Sequence, residues 1–290
     1  MATQSEWIQG ARPRTLPAAL TPVIAATALA VYDDAFVWWK AVLALVVAVA
    51  LQIGVNYAND YSDGIRGTDD ERVGPLRLTG SGLAAASAVK RAAFATFGVA
   101  GVAGLGLAAT TAWWLVAVGV LCLLGAWFYT GGKNPYGYRG LGEVSVFVFF
   151  GLVAVMGTYY VQAEAWSWPA FVAAVGIGAM TCSLNLTNNL RDIPSDTVAG
   201  KRTLAVVLGD HRTRLLYTTL ILAGVVATVI IAAATTWWVL TGLGFWVIAG
   251  RAVKAVKTGA TGPALIPVLG DTGKAELLWA VLVAVPLVLV

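Results

Sequence analysis

Two short runs of Asp and Asn, Asn59-Asp60-Tyr61-Ser62-Asp63 and Asn188-Asn189-Leu190-Arg191-Asp192-Ile193-Pro194-Ser195-Asp196, each stand where an apolar segment gives out. A carboxylate at the edge of hydrocarbon is costly unless it faces a partner or a water-filled cavity, so both runs call for a ligand. Sets of carboxylate and amide oxygens suit Mg²⁺, which is held by few carboxylates and completes its shell with water and substrate phosphates. Asn185, Asn188, Asp192 and Asp196 recur at three- and four-residue spacing, which on a helix makes one polar stripe. Asn59 and Asp63 stand in the same i,i+4 relation, with Asp60 beside them and Asp69 beyond the flexible stretch from Gly64 to Gly67. Arg191, Lys201, Lys133 and Arg139 are the nearby cations able to take phosphate oxygens. A plainer reading has the carboxylates capping helices and pairing with Arg66, Arg72 and Arg191, which accounts for the charges but not for the asparagines. No P-loop, Ser/His/Asp set or HExxH motif is present, so nucleotide hydrolysis and zinc peptidase chemistry have no support.

The elements that must position these runs are membrane helices. Of the 290 residues 59% are hydrophobic and only 12% charged, and the mean hydropathy is +0.78. The apolar runs are continuous rather than alternating with a period of two, which selects helices over a β-barrel. Nine spans are predicted, near 16–32, 36–56, 89–109, 112–130, 142–162, 166–186, 214–234, 236–250 and 274–290, with the eighth and ninth the weakest. With the N-terminus inside the cell, every one of the 19 Lys and Arg residues except Lys40 falls in a cytoplasmic segment, the pattern of the positive-inside rule. The tryptophans at 38–39, 113–114, 166, 168 and 237–238 then mark the outer interface. The long loops, and with them the function, lie on the cytoplasmic face of a multi-pass protein of the cytoplasmic membrane.

The net charge of +4 follows from this topology and requires no nucleic acid. Residues 1–15 lack a signal-peptide pattern, so insertion without cleavage is expected. Cys122 and Cys182, inside apolar spans and without CxxC spacing, read as buried thiols, and the lone His211 as a surface residue. Each half of the chain repeats one plan, an acidic run, a charged loop and a new apolar segment, as in Gly74-Pro75-Leu76-Arg77-Leu78-Thr79 and Gly200-Lys201-Arg202-Thr203-Leu204-Ala205. This echo suggests one domain, 1–290, of two related halves facing a shared site.

The two runs resemble the NDxxDxxxD-like and DxxxD-like signatures of the UbiA superfamily of intramembrane aromatic prenyltransferases. Gly67 in place of a third aspartate, with Asp69 after it, is similar to the 1,4-dihydroxy-2-naphthoate branch of menaquinone synthesis, in an actinobacterial style. Ala11-Arg12-Pro13-Arg14-Thr15-Leu16-Pro17, the loop from Tyr129 to Glu143, and Asn188 to Ala205 carry the same likeness, which spans essentially the whole chain. The resemblance implies an all-α bundle of nine membrane helices around a cavity open to cytoplasm and bilayer. It also implies two Mg²⁺ ions, a polyprenyl diphosphate and 1,4-dihydroxy-2-naphthoate as substrates. By the same likeness Asn59, Asp63, Asn188, Asp192 and Asp196 hold metal, and Asp60 and Asp69 assist. Arg191, Lys201 and Arg139 meet the diphosphate, and Tyr129 and Lys133 line the pocket. Tyr129, Phe147, Phe149, Phe150, Tyr159 and Tyr160 are the aromatics placed to face an allylic cation. Other acceptors, such as 4-hydroxybenzoate, homogentisate, haem or chlorophyllide, stay open, as does a cation-coupled transporter; the latter would carry its ionisable residues near mid-membrane.

Overall fold

A computed structural model describes residues 2–67 and 76–290, which form helices and their connections, with no strand among the described residues. In chain order the helices are α1 (Gln4–Gly10), α2 (Pro17–Tyr32), α3 (Trp38–Gly64), α4 (Ala86–Thr110), α5 (Leu115–Phe128), α6 (Gly142–Ala163), α7 (Trp168–Val198), α8 (Leu204–Ala234), α9 (Trp237–Lys257) and α10 (Gly262–Leu289). Each of the nine segments read as a span is helical, but length does not carry the count to nine. Among the described residues seven helices, α3, α4 and α6 to α10, are long and apolar enough to cross a bilayer. An eighth is reached if Gln4–Thr15 and Pro17–Tyr32 form one span bent by 51°. The 14 residues of α5 rise only about 21 Å, less than the ~30 Å of hydrocarbon. The eighth and ninth segments, expected to be weakest, are instead 21 and 28 residues long. The helix extends N-terminal to the expected start at 274, past half-buried Asp271 and exposed Lys274.

The bend before α2 has a local cause. Arg12 is left-handed (φ 55°), Pro13 follows it, and Pro17 opens α2, so neither proline can extend the preceding turn. Side chains of α3 brace the bend. The Asn56 amide donates to the Ala11 carbonyl (2.8 Å) and to Thr15 Oγ1 (3.1 Å), and Gln52 donates to the same Thr15 oxygen (3.0 Å).

At the centre of the bundle is α7, buried over 83% of its most apolar stretch, against 28% for α6. Its small residues allow this. A Cβ on Gly151 of α6 would fall 2.6 Å from both the Ala174 carbonyl oxygen and the Gly178 Cα of α7, so the two backbones touch there. Ala173, Ile177, Met180 and Leu186 of α7 share one core with Ile221, Phe245 and Trp279. Ser167 caps the start of α7, accepting from the Ala170 amide, and the helix runs through Pro194 to Val198, carrying the second polar run on its last three turns. Thr203 caps α8, which breaks at Gly209 (φ 74°) and leaves His211 exposed just beyond. Trp38, Trp113, Trp114, Trp166, Trp168, Trp237 and Trp238 are all exposed at the ends of their helices opposite the acidic runs, as a belt requires. Both cysteines are free; Cys182 is buried, whereas Cys122 is only partly so and lines the cavity described below.

Candidate functional site

The polar stripe expected on α7 and the polar end of α3 meet. Lys201, just past the end of α7, lies with its Nζ 3.9 Å from Asp63 Oδ1 and 4.0 Å from Asp196 Oδ1, so one ammonium touches both runs. Arg77 approaches the other Asp63 oxygen at 3.5 Å, and both side chains are buried. The Tyr138 hydroxyl also donates to Asp63, and its ring lies under Lys201, 4.6 Å from centroid to Nζ. Asp192 is held by Arg191 in a two-pronged bond, Nε to Oδ1 at 2.6 Å and a terminal nitrogen to Oδ2 at 2.8 Å. Asn59 accepts from Thr130 Oγ1 at 2.7 Å.

Below this charged layer opens a cavity of about 480 Å³ between α2, α3, α4, α5, α6 and α7. Asn59 and Asn188, one from each run, form part of its polar end together with Arg12, Asn185 and Tyr129. Most of the remaining wall is apolar, and Arg12 is the one charged residue among the described residues that line it. The residues of the two acidic runs gather at one end of the cavity, whereas Glu276, buried in the middle of α10, accepts from Thr181 of the cavity wall at 2.6 Å.

Of the other residues singled out, several go elsewhere. Both carboxylate oxygens of Asp60 accept backbone amides, from Leu78 (2.7 Å) and Thr79 (2.8 Å), so Asp60 clamps the loop that delivers Arg77. Lys133 and Arg139 are exposed. Asp69 and Arg72 lie outside the described residues. Among the described residues Arg66 pairs with no carboxylate: its guanidinium donates to the carbonyls of Thr130 and Gly132, tying the middle loop to α3. Tyr129, Phe149 and Phe150 line the cavity. Phe147 packs instead against Gly178, Tyr159 donates to Asp33 at the far end (2.6 Å), and Tyr160 leans on Trp114.

Arg77, Tyr138, Thr130 and Glu143 were not assigned roles from sequence. Tyr138 and Glu143 sit in the middle loop that carried the resemblance, and Arg77 in the echoed loop, so a charged or phenolic residue within a repeated loop was the available signal. Tyr136, in the turn before α6, donates to the Gly125 carbonyl at 2.6 Å, and burial pushes its phenol pKa up, so it stays protonated.

The donor set fits Mg²⁺ better than a protein-only cage. It is all oxygen, and among the described residues no three His, Cys, Asp or Glu side chains group closely enough to hold an ion by themselves. That is the arrangement Mg²⁺ accepts when a diphosphate supplies the other ligands.

A model of the UbiA prenyltransferase family matches residues 19–264. A 1,4-dihydroxy-2-naphthoate octaprenyltransferase of Mycobacterium tuberculosis is 56% identical over 285 residues, 98% of this chain and 97% of that protein. The enzyme of the same name from Escherichia coli is 39% identical over 76% of this chain and 74% of its own. In fold, the chain is similar to a UbiA homologue of Aeropyrum pernix (TM-score 0.74, 13% identity, 93% and 97% covered). It is also similar to one of Archaeoglobus fulgidus solved with GPP and Mg²⁺ (TM-score 0.68, 13% identity, 98% and 100% covered).

Proposed function

The chain belongs to the UbiA prenyltransferase family, and from that premise we propose that the meeting point of its two acidic runs is a diphosphate site above an apolar reaction chamber. The protein is a membrane prenyltransferase that transfers a polyprenyl group from its diphosphate to 1,4-dihydroxy-2-naphthoate, a step of menaquinone biosynthesis. The observation that carries the site assignment is the single ammonium of Lys201 within 4.0 Å of both Asp63 and Asp196.

Asn59 and Asp63 on one side, and Asn188, Asp192 and Asp196 on the other, would hold two Mg²⁺ ions, whose charge favours departure of the diphosphate. Lys201 and Arg77 stand where the remaining phosphate oxygens arrive, and Arg191 can exchange Asp192 for phosphate. The C–O bond breaks with its electron pair going to the diphosphate. Tyr129, Phe149 and Phe150 then present ring faces rather than water to the allylic cation. The electron-rich dihydroxynaphthoate ring supplies the pair for the new C–C bond, and its carboxylate leaves as CO₂, giving demethylmenaquinol. Carboxyl-labelled dihydroxynaphthoate with Mg²⁺ and a polyprenyl diphosphate tests this: one labelled CO₂ is expected per product, with 4-hydroxybenzoate a poor acceptor. Buried polar groups matched to one acceptor and unpaired with another discriminate by factors on the order of 10⁴. Label kept in the prenylated product, or preference for 4-hydroxybenzoate, would refute the acceptor assignment.

The N-terminus and the diphosphate site face the cytoplasm in this reading, supported by the distribution of Lys and Arg. Both Thr258 and Ala165 are exposed. In a background lacking Cys122 and Cys182, Thr258→Cys should react with an impermeant thiol reagent only in inverted vesicles, and Ala165→Cys only in right-side-out cells. The reverse pattern overturns the orientation.

A further inference from the structure

Glu143, the second residue of α6, is a buried carboxylate that does not itself line the cavity. One of its oxygens, Oε1, takes two amide donors from α7, Asn189 Nδ2 at 2.6 Å and Asn185 Nδ2 at 3.2 Å. These two asparagines are four residues apart and so lie on one face of the helix. The other oxygen, Oε2, is buried without a hydrogen-bond partner among the described residues. A carboxylate kept under those conditions is expensive and needs a task to explain it.

Asn185 links it to the cavity. With its nitrogen committed to Glu143, Asn185 turns its carbonyl oxygen toward the Tyr129 hydroxyl, which donates to it at 3.4 Å, a long hydrogen bond. Both Asn185 and Tyr129 line the cavity. The packing leaves this chain little freedom: a Cβ on Gly142 would stand 3.0 Å from the Tyr129 hydroxyl and 3.5 Å from Asn185 Nδ2. Tyr129 is held from another side by the edge of Tyr136, 5.6 Å between centroids.

We propose that Glu143 is a positioning residue for prenyl transfer, acting through Asn185 to fix the Tyr129 hydroxyl as a donor and so turn its ring and oxygen lone pairs toward the developing cation. The inference rests on the prenyl-transfer reading above. Negative charge at the far end of the chain makes the Asn185 carbonyl a better acceptor, which draws the phenol proton away from the cavity and enriches the face that meets positive charge. A carboxylate in the wall itself would attract the cation too strongly or be alkylated by it; one placed two hydrogen bonds away lends its field without that exposure.

The test is a mutant cycle on the purified full-length protein in detergent, with Mg²⁺, a polyprenyl diphosphate and 1,4-dihydroxy-2-naphthoate. Glu143→Gln keeps size and hydrogen-bonding atoms and removes the charge. It is expected to lower kcat by about 10- to 100-fold, the usual cost of losing an outer orienting partner, with KM for the prenyl diphosphate and Tm little changed. In a Tyr129→Phe background the same change is expected to cost less than about threefold, because the pair acts as a unit. Asn185→Ala should reproduce both results, and it decides the matter alone if Glu143→Gln does not fold. Normal kcat in both variants overturns the proposal, as do full additivity with Tyr129→Phe and a loss of KM and Tm in proportion to kcat, which would mark a mere helix-to-helix tie. Wild-type protein inactive on dihydroxynaphthoate would sink the prenyl-transfer reading itself, and this proposal with it.

Discussion

Replacing Asp63 or Asp192 by alanine is expected to lower kcat on the order of a thousandfold or more while each protein still folds. Charge stabilisation by a held metal is worth several kcal/mol, and each ~1.4 kcal/mol is tenfold in rate. The two residues come from different helices, yet both belong to the layer bridged by Lys201, so either loss should disable the same step. Asp63 carries a structural load as well, since it receives Tyr138 and pairs with buried Arg77. Removing it takes a buried carboxylate from beside that guanidinium and is expected to lower Tm as well as rate. Asp63→Asn separates the two effects: it keeps an acceptor for Tyr138 and should recover much of the lost Tm but little of the rate. Near-normal turnover in Asp63→Ala or Asp192→Ala, at whatever melting temperature, would remove that residue from the ligand set.

Stripping divalent metal with EDTA should abolish turnover, and Mg²⁺ should restore it. Ca²⁺ should restore little, because it prefers more oxygen ligands at longer distances than this sparse set provides. In the structure the carboxylates of the proposed metal site pair with cations, Lys201, Arg77 and Arg191. Metal must therefore displace them, and an incoming diphosphate gives those cations somewhere to go. Mg²⁺ and prenyl diphosphate should consequently bind with positive coupling, each lowering the half-saturating concentration of the other by the same factor, as linkage demands. Full turnover in metal-free buffer would end the metal-assisted reading, and independent saturation of the two would end the exchange argument.

How much of this was legible before any coordinates depended on whether a pattern was local. The stripe Asn185, Asn188, Asp192 and Asp196 was readable because a helix converts its spacing directly into one face, and α7 continues unbroken through Pro194. The family signatures placed both runs at one site, and Lys201 joins them. Asp60 is aimed differently from its neighbour Asp63, because one residue along a helix turns about 100°, enough to bring it to the amides of Leu78 and Thr79. Arg77 could not be assigned without that clamp. Glu143 stood in plain view within a quoted loop, but its partners lie 42 and 46 residues away on α7. Helix length and apolar composition alone reach seven or eight spans among the described residues rather than nine for a related reason. Hydropathy recognises apolar stretches but not how deep each is set, so α5 looked complete, and α10 was expected to begin only at 274.

The chamber has a bearing on which isoprenoids this protein can use. A cavity of about 480 Å³ need not hold the whole of a long prenyl tail. The wall is not closed: Leu105 of α4 and Val120 of α5 line it while remaining 51% and 49% exposed on the face turned to lipid. A tail can leave between these helices and lie among acyl chains, where further isoprene units meet the same surroundings as the bilayer offers. An opening of this kind would place no limit on tail length beyond the first few units.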